Sequence, residues 1–201
     1  MIGGTDAPPS RLRGLDSALA AIAEQLRRIT VRILGPHAAA GSGVIWTTSG
    51  LVVTNAHVTR GGAVAVLSTG RRAHGRLLAW DGEADLAALV IEADGAPAAE
   101  IGDSSALRTG ELVLAVGNPL GLRGALTAGI VHGTSQGSGN ARLIQADLKL
   151  APGNSGGPLA DARGRVIGIN AMVSGGLALA VPSRAVARFL APHLDRVAAP
   201  P

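Results

Sequence analysis

Residues 151–161 read "APGNSGGPLAD". Ser155 stands among glycines in this stretch, with Gly153 two places before it and Gly156 directly after it. Glycine adopts backbone conformations that other residues avoid and lets other groups approach closely. The stretch therefore predicts a sharp turn that exposes the Ser155 hydroxyl and the backbone amides beside it. A plain glycine-rich turn without chemistry is the alternative.

Two enzyme architectures place a nucleophilic serine on such a turn. Residues 153–157 fit the G-x-S-x-G strand-to-helix turn of the α/β-hydrolases, and they also suit the loop of a trypsin-like protease, where serine and neighbouring amides form an oxyanion hole. The hydrolase turn requires a helix after the serine, but "GGPLADARG" (156–164) has poor helix-forming residues. It would also require His193, in the last predicted helix, as its base. The hydrolase reading is disfavoured.

The rest of the chain reads as short strands. Apolar residues make up 47% of the 201, yet only three side chains are aromatic, namely Trp46, Trp80 and Phe189. Between residues 29 and 182, short apolar runs alternate with Gly, Ser, Asn and Asp. The runs are "ITVRIL", "GVIW", "LVVT", "AVAVLS", "LAALVI", "ELVLAVG", "ALTAGIVHG", "ARLIQAD", "RVIGINAMV" and "LALAVP". This pattern favours an all-β sandwich or barrel.

A helix is predicted on each side of the strands. Residues 15–28 have Asp16 or Ser17 as a candidate N-cap and an apolar face at helical spacing, formed by Leu19, Ile22, Ala23 and Leu26. Residues 183–194 form the second helix, with Ser183 as its predicted cap. Residues 1–14 are predicted to be loose.

Composition argues against several classes of function. The chain has no cysteine, and its five histidines show no metal-ligand spacing, so neither a metal site nor a cofactor is predicted. The formal charge is +4, but the arginines are scattered, which argues against nucleic-acid binding. No apolar run approaches the roughly 18 residues of a membrane span.

Three residues occur in the order that a trypsin-like triad requires. His57 follows the run "LVVT" (51–54), Asp85 leads directly into "LAALVI" (86–91), and Ser155 comes last. In such a triad the imidazole takes the serine proton, and the carboxylate orients the imidazole and stabilises its charged form. Asp81 is an alternative acid, but the "GEA" that follows it predicts a turn. We therefore predict His57, Asp85 and Ser155 as the catalytic residues.

The oxyanion hole is predicted at the same turn. The glycines allow the amides of Gly153 and Ser155 to face one point, with Asn154 between them. Losing one donor of such a hole lowers the rate by about 100–1000-fold.

Several motifs in order resemble the protease domain of the HtrA/Deg family of trypsin-like serine peptidases. The resemblance covers about residues 28–190 and rests on "GSGVIW" (41–46), "VTNAHV" (53–58), "DLAALVI" (85–91), "AVGNPLGL" (115–122), "LTAGIVHG" (126–133), "IQAD" (144–147), "PGNSGGPL" (152–159), "GRVIGIN" (164–170) and "LALAVPS" (177–183). It implies an all-β fold of two six-stranded antiparallel β-barrels, with the triad at their junction and the two helices outside.

This resemblance divides the chain into four parts. A tail and helix cover 1–28, and the first barrel, with His57 and Asp85, covers 29–107. The second barrel, with Ser155, and the closing helix cover 108–190. A tail covers 191–201.

The resemblance implies an ATP-independent serine endopeptidase that cleaves unfolded or damaged polypeptides. A catalytically silent module that binds protein or peptide is the alternative. The PDZ module that the family usually carries is not expected within these 201 residues. The resemblance implies a trimer held by aromatic anchors in an N-terminal segment, but residues 1–40 contain no aromatic residue. A monomer is therefore expected, and a homotrimer is the alternative. The expected compartment is the cytoplasm if the chain is complete, since it has no signal peptide, and the periplasm or cell exterior if a targeting segment was removed.

Four residues are candidates for the specificity pocket. Leu150, five residues before Ser155, matches a family position that lines the pocket, and Met172 and Val173 follow on a neighbouring strand. Together they predict a shallow pocket for Val, Ala, Leu or Ile. Lys149 stands at the position of the pocket floor in digestive trypsins. It would favour an acidic residue before the scissile bond, or else it points to solvent beside Asp147.

Overall fold

Two closed antiparallel barrels of six strands each make up the body of the protein, in a computed structural model that describes residues 10–35, 40–59, 63–93, 95–136 and 142–196. Counted along the chain, the strands of the first barrel are joined in the order first, second, third, sixth, fifth and fourth, and those of the second barrel in the order tenth, eleventh, twelfth, ninth, eighth and seventh. The first barrel consists of β1 (Thr30–Leu34), β2 (Ala40–Ile45), β3 (Leu51–Thr54), β4 (Ala63–Val66), β5 (Arg72–Asp81) and β6 (Leu86–Val90).

The second barrel repeats this plan. Its strands are β7 (Leu112–Gly117), β8 (Ala125–Gln136), β9 (Arg142–Asp147), β10 (Pro158–Asp161), β11 (Val166–Ser174) and β12 (Leu177–Pro182). Helix α1 (Ser10–Ile29) precedes the barrels, and α2 (Ser183–Leu190) follows them. The predicted fold class is confirmed.

The core explains why α1 belongs to the barrels. Leu26 on α1 is fully buried and packs in one cluster with Val44 of the first barrel and Leu114 and Val181 of the second. Two further clusters fill the two barrel interiors. The first cluster therefore joins the helix to both barrels at the place where they meet.

The start of α1 differs from the prediction. The helix begins at Ser10, so the proposed caps Asp16 and Ser17 are inside it, and residues 10–14 are helical, not loose. The physical reason is that Arg and Leu at 11–13 are good helix formers, which outweigh the single Gly14. Of the predicted tails, residues 1–9 and 197–201 lie outside the described residues. Residues 191–196, predicted as part of the C-terminal tail, form a 3₁₀ helix instead.

Ser183 is also not a cap, because Pro182 takes that position. Instead, the Ser183 hydroxyl donates to the carbonyl oxygen of Gly102 at 2.7 Å and accepts from the amide of Ser104 at 3.3 Å. The residue ties α2 to the segment between the barrels.

The chain also contains two strands that the apolar runs did not reveal. β5 is exposed along much of one side and has a register shift between Leu77 and Ala79, so its sequence shows no clean alternation. β10 is only four residues long.

Candidate active site

The structure fixes the ring of His57 at two points. His57 lies on a one-turn 3₁₀ helix, Ala56–Val58, that follows β3. Its Nδ1 is 2.8 Å from Oδ2 and 3.0 Å from Oδ1 of Asp85. Its backbone N–H also donates to Asp85 Oδ1 at 3.1 Å. The carboxylate thus holds both the ring and the main chain of the histidine, and the other ring nitrogen, Nε2, is left for a substrate-side role.

Asp85 reaches this position through an unusual backbone conformation. Its φ is +51°, in the left-handed region, which Asp tolerates better than most residues do. The buried Asn55 side chain holds the turn, since its Nδ2 donates to the Asp85 carbonyl at 2.9 Å. Backbone strain of this kind is typical of functional sites.

Asp81, the alternative acid, has a different partner. Its Oδ1 accepts hydrogen bonds from the amides of Glu83 at 2.9 Å and Ala84 at 3.0 Å, so it closes the turn that follows β5. Trp80, beside it, donates from Nε1 to the carbonyl of Ala56 at 3.3 Å. The structure brings Asp85, and not Asp81, against His57.

The loop that carries Ser155, residues 151–157, is here called the oxyanion loop. Gly153 has φ +105° and Gly156 has φ +85°. A Cβ added to Gly153 would overlap the carbonyl oxygen of Asn118, and one added to Gly156 would overlap that of Ser42. Close approach and positive φ both require glycine at these two positions.

The amides of the oxyanion loop fall into two groups. The Asn154 N–H donates to the Ala151 carbonyl at 3.0 Å, and the Gly156 N–H donates to that of Asn170 at 2.8 Å. Within the described part of the chain, the amides of Gly153 and Ser155 donate to no backbone or side-chain acceptor. These two are the amides that the sequence predicts for the oxyanion hole, whereas the amide of Asn154 is already occupied.

The loops of Ser155 and His57 meet across β2. A Cβ built on Gly41 would contact the Val58 side chain on one side and lie 3.1 Å from the Ser155 carbonyl oxygen on the other. The Ser155 hydroxyl donates to the carbonyl of Ala171 at 2.9 Å, and among the described residues no hydrogen bond joins it to His57. Catalytic hydrogen bonds are often not formed in enzymes without substrate.

The predicted pocket residues lie in two places, Lys149 and Leu150 on the segment that follows β9 and Met172 and Val173 on β11. Leu150 is half-buried and packs against the core of the second barrel. Met172 and Val173 are 49% and 50% exposed on β11, and Lys149 is exposed. The apolar side chains are therefore available at the surface, while the Lys149 ammonium faces solvent.

Sequence reasoning missed two buried polar residues that contact the oxyanion loop. Ser42 is fully buried on β2, and Asn118 is 6% exposed after β7. Both lie in motifs that carry the resemblance, but neither was assigned a role. A polar residue inside an apolar strand, as in "GSGVI", is the signal that would have identified Ser42.

The described ranges show neither a metal-binding cluster nor a membrane-spanning helix. No group of three or more His, Asp or Glu side chains there is placed to hold a metal ion. None of the helices there combines the length and apolar character needed to cross a membrane.

Comparisons with known proteins identify the family of the chain. Residues 41–169, more than half of the chain, match the family model described as a trypsin-like peptidase domain. The putative serine protease HhoB of Synechocystis sp. is 40% identical over 71% of this chain and 37% of its own length. A probable periplasmic serine endoprotease DegP-like of Marinomonas sp. is 42% identical over 75% of this chain and 34% of its own.

Solved structures give the same result. The HtrA-type protease AlgW with a tripeptide superposes with a TM-score of 0.82 at 32% identity, covering 88% of this chain and 64% of that one. The chain spans about a third of the length of the two curated relatives above. The two curated relatives above are named as serine proteases, and the solved structure is that of an HtrA-type protease. The chain belongs to the trypsin-like peptidase family.

Proposed function

We propose that the protein is an ATP-independent serine endopeptidase that cleaves unfolded or damaged polypeptides through an acyl-enzyme. The observation that carries this proposal is the double contact of Asp85 with His57 beside a loop whose Gly153 and Ser155 amides are free to bind an anion. The HtrA-type relatives and structures support it.

In this proposal each residue has one role. His57 Nε2 takes the proton of the Ser155 hydroxyl as Oγ attacks the substrate carbonyl carbon. The developing oxyanion accepts hydrogen bonds from the Gly153 and Ser155 amides. The C–N bond breaks as His57 returns the proton to the leaving amine. Water then repeats the sequence on the acyl-enzyme, and Asp85 stabilises the imidazolium in both halves.

The proposed substrate is extended, because a scissile bond must reach Ser155 on a loop between two folded barrels. Structures of the HtrA-type protease AlgW contain a tripeptide and a decapeptide, which supports a peptide substrate. The exposed apolar side chains of Met172 and Val173 support cleavage after small aliphatic residues.

Assembly and compartment are part of the same proposal. We propose that the protein is a monomer, with a homotrimer as the alternative. The molar mass measured by multi-angle light scattering at micromolar concentration distinguishes the two states. Relatives named as periplasmic proteases support a place of action outside the cytoplasm.

A fluorophosphonate probe and unfolded casein test the activity. The wild-type protein is expected to be labelled at Ser155 and to degrade casein, and Ser155→Ala is expected to do neither. One observation favours the alternative, a silent binding module, namely the bond that turns the Ser155 hydroxyl towards Ala171. A wild-type protein that is neither labelled nor active on casein, while still binding it, would establish that alternative.

A further inference from the structure

We propose that Ser42 is a positioning residue for the oxyanion hole, acting with Asn118 to keep the Gly153 amide directed at the substrate. This inference rests on the proposed function, because it concerns how the same site is kept ready. It assigns a role to a buried hydroxyl of the first barrel in chemistry that takes place on a loop of the second.

Ser42 contacts the oxyanion loop at two points. Its backbone N–H donates to the Ser155 carbonyl at 2.7 Å. Its hydroxyl donates to the Gly153 carbonyl, also at 2.7 Å. The carbonyls on both sides of Asn154 are thus held by one residue of β2.

Asn118 fixes the direction of the Ser42 hydroxyl. The Asn118 backbone N–H and side-chain Nδ2 each donate to Ser42 Oγ at 3.0 Å. With two donors directed at its lone pairs, the hydroxyl has its own proton left for Gly153. Asn118 is itself held, since its Nδ2 also lies 3.3 Å from the Val31 carbonyl and its Oδ1 accepts from the Gly124 amide at 3.2 Å.

A second contact fixes the preceding peptide group. The Leu120 N–H donates to the Pro152 carbonyl at 3.3 Å. The Pro152 carbonyl and the Gly153 N–H belong to one planar trans peptide, so they point in opposite directions. Holding that carbonyl towards Leu120 therefore directs the Gly153 amide the other way. Leu120 makes this contact with a φ of +51°, which is a strained backbone conformation for leucine. Its surface is 81% exposed.

Gly153 needs such support because glycine is free to rotate. No side chain restricts its φ and ψ, which separate the Pro152–Gly153 peptide that carries the oxyanion donor from the Gly153–Asn154 peptide that Ser42 holds. If the second peptide is released, both angles can relax, and the Gly153 N–H can turn away from the substrate. The carbonyl of Gly153 receives a second, longer bond from the Asn118 amide at 3.2 Å. Without the Ser42 hydroxyl, this bond alone would hold the carbonyl of Gly153.

The test compares Ser42→Ala with Thr30→Val in the full chain. Both residues are buried, and each hydroxyl donates to a backbone carbonyl at 2.7 Å, but Thr30 bonds to Leu26 on α1 and does not contact the oxyanion loop. For Ser42→Ala, kcat on a peptide amide is expected to fall about 10–100-fold, while KM stays within about twofold. The fall in kcat should not exceed that caused by losing a whole oxyanion donor, because the Gly153 amide is still present. Affinity for a peptide aldehyde, whose tetrahedral adduct places an oxyanion in the hole, is expected to fall in parallel with kcat.

Thr30→Val is expected to lower the melting temperature by a similar amount and to leave kcat within about threefold. Equal kcat values for the two variants would overturn the proposal, as would a change confined to KM. If Ser42→Ala does not fold, Asn118→Asp takes its place. Its carboxylate would attract the Ser42 proton away from Gly153, and the same fall in kcat is expected.

A crystal structure of Ser42→Ala separates this proposal from the proposed function. A Pro152–Gly153 peptide group that has rotated, so that the Gly153 N–H points elsewhere, would support the positioning role even if the wild-type protein cleaves nothing. An unchanged Gly153 peptide together with unchanged kcat would overturn the role while leaving the peptidase proposal intact.

Discussion

Asp85 holds His57 by both its ring and its main chain: Oδ2 is 2.8 Å from Nδ1, and Oδ1 accepts the backbone N–H at 3.1 Å. A single hydrogen bond to the ring would leave the 3₁₀ turn free to shift. Because both oxygens are used, the carboxylate sets the orientation of the imidazole and the position of the turn that carries it.

Replacing Asp85 by Asn is expected to lower kcat by about 10⁴-fold with little change in KM, because the amide favours the wrong imidazole tautomer. Steady-state kinetics on a chromogenic peptide measures this. Asp81→Asn is the matched control, since Asp81 bonds only to turn amides among the described residues. It is expected to keep kcat within about threefold. A loss of activity in Asp81→Asn as large as that in Asp85→Asn would contradict the assignment of the acid.

Gly156→Ala is expected to destabilise the fold by about 3 kcal/mol or more. The added methyl group would overlap the Ser42 carbonyl, and φ +85° is strained for alanine. Gly133→Ala is the control, because nothing lies within 4 Å of an added Cβ there. It should stay within about 1 kcal/mol of the wild type in urea unfolding. Equal midpoints for the two variants would show that the oxyanion loop relaxes easily.

Leu26→Ala is expected to cost about 2–5 kcal/mol, because a fully buried side chain at the contact of helix and barrels is removed. Leu15→Ala, on the same helix but 50% exposed, should cost less than about 1 kcal/mol. Thermal and urea unfolding of both variants measures the difference. A Leu26→Ala protein as stable as the wild type would mean that α1 contributes little to the barrels.

Peptide libraries should show cleavage after Val, Ala, Leu or Ile. Leu150 is half-buried beside the core, while Lys149 is exposed, so the apolar side chains dominate the predicted pocket. Lys149→Glu is expected to change kcat/KM on aliphatic peptides by less than about threefold. A wild-type preference for Glu or Asp that Lys149→Glu abolishes would show instead that the ammonium reads the substrate.

The sequence predicted the elements that have a strong local pattern and missed those defined by contacts across the fold. The glycines around Ser155 and the strand after Asp85 have local signatures, so the sequence alone predicts the fold class and the candidate triad. Ser42 has only a weak one, a polar residue within a strand, and that signal does not point to its partner Gly153, 111 residues away. The same holds for Ser183, which resembles a cap in sequence but bonds to Gly102 in the fold.

Trp80 has a use beyond packing. It is one of only two tryptophans in the chain, and it is 50% exposed. Its indole N–H donates to the carbonyl of Ala56, the residue directly before His57. The other tryptophan, Trp46, packs against the core. The chain therefore carries a natural fluorophore next to the turn of the candidate base. Its emission offers an optical record, without any attached dye, of each event that moves that turn.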